Sequence, residues 1–580
     1  MSNLQIAKLL RSVAAALELS GGDNRFRIIA YQRAADAIEH ASSEVKDLWD
    51  DGKLKELAGV GEGIAGSLDE LFRTGKIKHF ESILKPFPPA LFELMEVSGI
   101  GPKTALKFCK ELGITKAHSA ISELLKAAKK GRIDGRFIKA IQEYQGRSRR
   151  LLLDVAQTIS DSIVDWMRKN PLVLQINTLG SLRRQASTVG DIDIAVASDH
   201  PKEVIEHFTK YPQKSRVLEA GEHTASLILP NEYQVDLMVQ PETAYGALLQ
   251  HFTGSKHHNI ALREYALKKG YSLSEYGIKQ TSPSLKLREG RGVSYEFPTE
   301  EKFYNFLGLD WIPPELREGE NEIELAKTHK LPKLIELADI KGDLQIHSNL
   351  DVEPSHDLGV SSISELATIA SKLGYEYIGL TEHNPAVSGH TQAQIMDLIK
   401  RKSSAIEQFN SSRIINVFNG LEIDIQPNGK RALPDSCLDL LDYACVAIHS
   451  SFQASRAQMT DRVLSAMDHP KVKFFAHPTA RLLGQREGVE LDWDRIFDFC
   501  VKHNKWLEID GWPNRLDLPD VIAKDAIKHG VRLVVDTDSH AAGQLVYMRY
   551  GVSVARRAAA TKRDIINTHS LKEVISCLSQ

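Results

Sequence analysis

A chain of 580 residues exceeds the roughly 250 to 300 at which a single hydrophobic core stops growing, so at least three domains are expected. Hydrophobic residues make up 42% and charged residues 26%, the balance of a soluble globular protein, and no run approaches the ~18 to 20 apolar residues of a membrane span. A net charge of −3 argues against indiscriminate coating of nucleic acid but leaves room for a local basic channel. The start shows no secretory leader, and the five cysteines (Cys109, Cys437, Cys445, Cys500, Cys577) include no CxxC pair. Neither a disulfide framework nor a thiolate zinc site is indicated, and a reducing, cytoplasmic setting is expected. Most of the 21 histidines lie after residue 340 or in short clusters, a pointer to metal binding in the C-terminal part.

In chain order, two segments repeat at an offset of 40 residues: LAGVGEGIAGSLDEL from Leu57 and VSGIGPKTALKFCKEL from Val97. Both read apolar-x-Gly-apolar-Gly and then a helix. Gly59 and Gly61, and again Gly99 and Gly101, let the backbone turn tightly and bring amide N–H groups to a phosphate at the next helix's N-terminus. Lys103 in the second copy is a further DNA-binding candidate. This is the helix-hairpin-helix pattern. One copy is as readily a plain helix connection, whereas two in register favour non-specific phosphate binding. GRIDGRFIKAIQEY, after Lys130, lacks the Gly-x-Gly turn.

From about residue 151 strands and helices alternate. The strongest chemical signal is TLGSLRRQASTVGDIDIAVAS at 178–198. Asp191 and Asp193 are expected two apart on a strand whose other face is Ile192, Ile194 and Val196, so both carboxylates project together. Two adjacent anions need compensation, and a pair of Mg²⁺ or Mn²⁺ ions about 3.5 to 4 Å apart provides it in phosphoryl transfer. NEYQVDLMVQ supplies a third carboxylate, Asp236. Gly180-Ser181 is expected to end a strand before a helix carrying Arg183 and Arg184, a geometry that cradles a triphosphate. An isolated Asp-x-Asp is as often a solvated strand edge; the ordered set points to a nucleotidyltransferase.

These motifs, together with HFTGSKHHNIALREYALKKGYSLSEYGI from His251, closely resemble the family X DNA polymerases. The likeness covers residues 1 to about 317 in the order N-terminal helical domain, two hairpins, palm, thumb. It implies gapped or primed DNA and dNTPs as partners, and a monomer. By that resemblance Asp191, Asp193 and Asp236 hold the catalytic metals, with Asp236 nearest the primer 3′-OH. Gly180, Ser181, Arg184 and Gly190 would hold the triphosphate. Phe252, Thr253 and Gly254 would shape the sugar pocket and disfavour ribose, and Asn259 and Arg263 would lie along the minor-groove edge.

Four departures stand out. Ser67 takes the place of the lysine that forms a Schiff base with a 5′-deoxyribose phosphate in animal repair polymerases, and serine cannot make that imine, so little or no lyase activity is expected. Gly63 replaces a phosphate-binding lysine, leaving Arg27 and Tyr31 of RFRIIAYQRAA to hold a 5′-phosphate. Met238 stands for an arginine and Gln185 for a glycine.

WIPPELREGENEIE at 311–324 reads as the end of this module, and LAKTHKLPKLIELADIKGD as a linker with little core of its own. The rest alternates short apolar strands (YIGL, INVFNGLEIDI, YACVAIHS, KFFAHP, WLEIDG, RLVVDTDSH) with helical stretches, the rhythm of a β/α barrel. His347, His383, Glu422, His449, His477, Asp538 and His540 fall at strand ends as candidate metal ligands. From residue 341 the chain resembles the PHP (polymerase and histidinol phosphatase) domain, a distorted β/α barrel with a cluster of about three metals, here Mn²⁺ or Zn²⁺.

That cluster departs from the family pattern. In GDLQIHSNLD, Gln345 stands where a first histidine is expected, and Glu382 replaces an aspartate beside His383. The usual Ser-Asp-Gly has become LDVEPSH, where Asp351, Glu353 or His356 could replace the lost aspartate. An amide oxygen is a poorer ligand than imidazole, so one metal is expected to bind weakly or be absent. Two readings follow: a Mn²⁺-favouring 3′-5′ exonuclease, or a degenerate barrel that stabilises the enzyme or positions DNA. A small-molecule phosphatase is disfavoured by the attached polymerase, and a DNA-binding scaffold with dead sites by the complete aspartate triad.

The expected architecture is thus multidomain α/β. Residues 1–85 form a helical DNA-binding domain with the first hairpin, 86–150 a fingers-like domain with the second, 151–265 a nucleotidyltransferase palm and 266–317 a thumb. Residues 318–340 form a linker and 341–580 a PHP metal-dependent phosphoesterase domain.

Overall fold

A computed structural model describes residues 3–21, 25–39, 60–97, 99–134, 150–230, 233–280, 293–411 and 415–580, with a few single residues between these segments. It divides into two compact units, the first built mainly from residues 1–149 and the second from the remainder.

The first unit is helical. Helices Glu62–Thr74 and Pro102–Leu112 begin directly after Gly61 and Gly101, whose carbonyls accept the Ala65 and Ala105 amides at 2.9 Å each. The sequence repeat is therefore also a structural one. Gly99 has φ +82°, a conformation in which a Cβ would strain the turn. Gly59 lies outside the described residues. One core gathers Ile6, Leu10, Ile38, Leu68 and Phe80; a second gathers Leu91, Leu94, Phe108, Ile114 and Leu124.

The second unit opens with a five-stranded sheet, ordered in space Gln175–Thr178, Ile192–Ala197, Gln234–Gln240, Thr224–Ile228, Arg216–Ala220. Only Ile192–Ala197 and Gln234–Gln240 run parallel to each other. Leu179, Ala195 and Ala197 are buried beneath helix Tyr245–Thr253 through Tyr245 and Leu248, and the half-buried Met238 joins this cluster. Next come helix Lys256–Lys268, a three-stranded antiparallel sheet and helix Glu300–Phe306, around Leu262, Ile278, Phe303, Tyr304 and Ile312.

Ala326 belongs to that same core, which corrects the expectation for residues 318–340. Glu322–Lys327 is helical, Ala326 and Ile335 are fully buried, and the Ile335 amide donates to the Ala560 carbonyl at 3.0 Å. The many charges of the stretch hide apolar residues that two neighbouring modules bury between them.

From residue 342 eight parallel strands form two sheets. Gly342–Ile346, Tyr377–Leu380 and Asn416–Asn419 make the first; Glu422–Asp424, Ala444–Ala447, Val472–Phe475, Trp506–Asp510 and Leu533–Asp536 make the second. Parallel bridges His383–Glu422 and Ile346–Ser539 link the sheets at both seams, giving a distorted barrel. Its interior is filled by Leu344, Tyr377, Phe418, Tyr443, Cys445, Phe474, Trp506 and Val534. Gly379 is required here, because a Cβ would overlap the Tyr443 hydroxyl, which donates to the Leu344 carbonyl. Among the described residues no helix is long and apolar enough to cross a membrane.

Candidate active sites

Two clusters of acidic and basic side chains lie in the second unit. In the five-stranded sheet, Asp193 and Asp236 are direct partners across the parallel strands, so their carboxylates share one face at one level. The strand begins at Ile192, which leaves Asp191 exposed just before it rather than on it. Burial pushes the Asp193 carboxyl up to about 7, and repulsion from Asp191 and Asp236 adds to the shift. Gln234 Nε2 lies 3.0 Å from both Asp236 oxygens.

Gly180, at φ +57°, crosses this cluster so closely that a Cβ would lie 3.0 Å from Asp193 Oδ2. The helix it starts, Gly180–Arg183, is a single turn, so Arg184 sits at its C-terminal cap rather than on a longer helix. Ser181 lies within that turn and is half-buried. Arg183 pairs with Glu300 at 2.6 Å and donates to Thr253 Oγ1; Glu300 also receives Arg317 at 2.6 Å. Burial raises the Glu300 carboxyl, but the two arginines outweigh it and hold it well below the usual range.

Arg184 Nε meets Glu318 at 3.3 Å, and its Nη1 donates to the Thr253 carbonyl. Arg557, on helix Met548–Arg557 of the barrel, clamps the pair: its Nη1 reaches Glu318 at 2.8 Å and the Arg184 carbonyl at 3.0 Å. Gln185 has φ +54°, the conformation of the glycine it replaces, and its Oε1 accepts Ser553 Oγ of the same helix at 3.0 Å. No local pattern signals this clamp, because its partners lie 239 to 373 residues apart.

Gly190 abuts Arg150, whose Nη1 would lie 3.2 Å from an added Cβ and whose Nε donates to Thr188 Oγ1 at 2.7 Å. Arg150 thus borders the cluster, and nothing in the run GRSRRLL marks that one arginine out. Phe252 packs on the Tyr245 cluster, and Gly254 has φ +67° beside Arg184. Asn259 has both ends of its amide engaged, donating to the His251 carbonyl at 2.7 Å and accepting from Gln250 at 2.9 Å. Arg263 is exposed on its helix.

In the first unit, Arg27 is exposed and within 2.8 Å of the His79 ring. Tyr31 is buried edge-on against Phe80. Ser67 Oγ donates to the Gly63 carbonyl, and Lys103 is exposed in the first turn after Gly101.

The barrel's strand ends bring all seven candidate ligands together. Glu422 is the hub. Its Oε2 lies 3.3 Å from His347 and from His383, and its Oε1 lies 2.9 Å from His477 and 3.4 Å from His449. Asp538 Oδ1 is 3.0 Å from His347, whose ring stacks on His540 at 4.2 Å. Burial alone would raise the Glu422 carboxyl, yet the surrounding histidines hold it well below the usual range. Burial pushes His383 down to about 3, so its ring is neutral and able to bind a cation. Glu422 Oε2, Asp538 Oδ1, His347 Nε2, His383 Nδ1 and His540 Nε2 are buried without a hydrogen-bond partner among the described residues. Such convergent orphaned donors fit divalent cations.

Gln345 is fully buried; its Oε1 accepts from Cys445 Sγ at 3.7 Å and its Nε2 has no partner among the described residues. Glu382 turns out of the cluster. It pairs with the fully buried Lys402 at 2.9 Å and accepts Ser348 Oγ at 2.6 Å, while Lys402 also donates to Asn419 and the Leu380 and Gly420 carbonyls. Lys402→Met leaves Glu382 charged and unpaired in the interior, and is expected to cost about 3 to 5 kcal/mol in urea denaturation.

Residues 1–77 match the helix-hairpin-helix domain family, and residues 248–318 the DNA polymerase beta thumb family. The chain is 33% identical to the DNA polymerase/3′-5′ exonuclease PolX of Bacillus subtilis over 595 aligned positions, covering 100% of both chains. It is 27% identical to DNA polymerase lambda of Arabidopsis thaliana over 51% of this chain and 58% of that one. A probable phosphatase of Thermoanaerobacter sp. is 24% identical over 36% of this chain and 84% of its own length.

Proposed function

The chain belongs to the family X DNA polymerases that carry a C-terminal PHP-like phosphoesterase domain, and from that premise we propose that it fills short gaps in DNA and trims primer 3′ ends. It is a DNA-directed DNA polymerase. The observation that carries the gap-filling chemistry is the pairing of Asp193 with Asp236 across parallel strands, with Asp191 at the mouth.

Two divalent cations, Mg²⁺ or Mn²⁺, bound by these carboxylates would supply the charge that a transferring phosphoryl group needs. The chain's own residues do the rest. Gly180 and Gly190 keep the backbone close to the carboxylates, and Ser181, Arg184 and Arg150 offer donors to a triphosphate. Asp236, steadied by Gln234, takes the proton of the primer 3′-OH. The helix-hairpin-helix turns and Arg27 hold the DNA backbone without reading sequence.

Trimming is favoured over a purely structural barrel because Glu422 Oε2, Asp538 Oδ1 and nitrogens of His347, His383 and His540 converge without a hydrogen-bond partner among the described residues. An inert barrel has no need to bury them. A one-nucleotide gap with the complementary dNTP and Mg²⁺ should be filled faster than a recessed primer is extended. Absence of incorporation on either DNA, in Mg²⁺ and in Mn²⁺, overturns the polymerase assignment of these residues.

The Arg557 clamp gives a further expectation. Arg557→Met frees Glu318 and loosens Arg184, so KM for the incoming dNTP should rise about tenfold, equivalent to ~1.4 kcal/mol, with affinity for gapped DNA unchanged. Steady-state single-nucleotide insertion reads this directly.

A further inference from the structure

Barrel strand Trp506–Asp510 runs directly into a turn at 511–516 that is held on several sides. The Trp512 amide donates to Asp510 Oδ1 at 2.6 Å, and the Trp512 carbonyl accepts the Arg515 and Leu516 amides at 2.9 and 3.0 Å. Arg481 Nε donates to the Arg515 carbonyl at 2.8 Å. Gly511 has no room for a side chain, because a Cβ would lie 2.8 Å from the Tyr547 carbonyl oxygen and 3.1 Å from that of Asp536. The turn is therefore preorganised, and a ligand that meets it loses little to ordering.

Two side chains of this turn reach the metal cluster without being consumed by it. The Trp512 ring is half-buried, 6.0 Å from His540 and 5.5 Å from Tyr547, and nearly perpendicular to both. No ring among the described residues lies parallel to it. Phe452, a little after His449, differs: the Arg486 guanidinium already covers its ring at 4.2 Å. Arg515 pairs among the described residues only with Asp510 and Asp538, at 3.7 and 4.0 Å from its Nε, distances too long for hydrogen bonds. Its fork of donors is left for an anion at the cluster.

We propose that Trp512 is the base-stacking residue of the barrel's site and Arg515 its phosphate contact, so that the substrate is a base-bearing nucleotide end rather than a bare sugar phosphate. The proposal rests on reading the barrel as trimming primer 3′ ends and names what it grips there. An indole offers a π-face on which every base can stack, a contact worth roughly tenfold or more in affinity and tolerant of sequence. The guanidinium of the same turn takes two oxygens of the adjoining phosphate.

The first arm of the test reads binding alone. Full-length protein in Mg²⁺ buffer is titrated with dAMP or with deoxyribose 5-phosphate while tryptophan emission is followed. dAMP should quench the emission and deoxyribose 5-phosphate should not. Trp512→Phe, which keeps a ring but removes the reporter, should lose the quench; an identical quench in that variant overturns the proposal.

The second arm uses single-stranded primers ending in an ordinary nucleotide or in an abasic tetrahydrofuran residue, with Mn²⁺. The wild-type KM should be about tenfold lower for the ordinary end. Trp512→Ala should bring the two KM values together, Trp512→Phe should keep them apart, and Arg515→Met should raise both alike. Trp512→Leu, which keeps apolar bulk against Tyr547, replaces the alanine variant if that one melts early. A preference for the ordinary end that survives both non-aromatic substitutions overturns the proposal, and KM values unmoved in Arg515→Met overturn the phosphate contact. If no protein shortens any primer while dAMP still quenches Trp512, the trimming reading falls and the subsite stands. If there is neither quenching nor trimming, both fall together.

Discussion

Asp193→Ala should lower primer extension by about 10³-fold or more while leaving affinity for gapped DNA unchanged. The side chain sits at the level of Asp236 on the neighbouring strand, and under the proposed mechanism its removal would take away a ligand that both cations need. On the proposed reading DNA is held by backbone amides of the hairpins and not by this carboxylate, so a gel-shift titration should not move. Extension that survives would mean that the reacting atoms are not at this cluster.

A second readout of the same carboxylate needs no substrate. An Asp carboxyl titrates near 3.9 in an unfolded chain, whereas here burial and two neighbouring anions raise Asp193 to about 7. The folded protein therefore binds this proton more tightly than the unfolded one. The group stabilises the fold at pH below about 4, loses that contribution as pH rises towards 7, and above 7 its forced charge opposes folding. In metal-free buffer at pH 8, Asp193→Asn should be more stable than the wild type by ~1 to 3 kcal/mol, the solvent-facing edge having reduced the full effect. The difference should vanish near pH 4. At pH 8 Mg²⁺ should narrow it, since only the aspartate form gains from the cation.

How much of this was legible beforehand depends on the range of the interactions. The palm strands could be read because Asp193 and Asp236 alternate with apolar residues, and a period of two needs only a few neighbours to show. The hairpins could be read because Gly61 and Gly101 carry the same cap 40 residues apart. The barrel's strands were visible as short apolar runs, and all seven proposed ligands converge.

Other features were not legible, because they join residues far apart in the chain. The Arg557 clamp on Arg184, the Lys402 partner of Glu382 and the packing of Ala326 all depend on which surfaces meet, and no local pattern encodes that. Within LDVEPSH, Glu353 meets His390 and His356 meets Asp424, contacts that the run alone does not encode. Met238 and Gln185 show the converse: both depart from the family pattern, yet each finds local packing or a hydrogen bond that accommodates it.

The largest expected effect in the barrel is at its hub. With a 5′-labelled primer on one-nucleotide-gapped DNA, Mn²⁺ and no dNTP, the wild type should shorten the primer, and Glu422→Gln and His477→Ala should do so at least ~10²-fold more slowly. Glu422 meets four histidines, His347, His383, His449 and His477, so neutralising it would remove the charge that the proposed cations need to sit near one another. Extension with dNTP should be unaffected, since the aspartate triad lies on a different sheet. Gln345 sets the scale of what remains. Its amide bonds Cys445 from within the barrel, so Gln345→His should restore a nitrogen ligand on the face of the strand that carries His347 and lower the Mn²⁺ concentration for half-maximal trimming about tenfold. Should the wild type leave the primer intact while Gln345→His shortens it, the missing histidine alone has silenced the site. If neither shortens it while gap filling proceeds, the barrel is structural and the converging ligands serve only to bind metal.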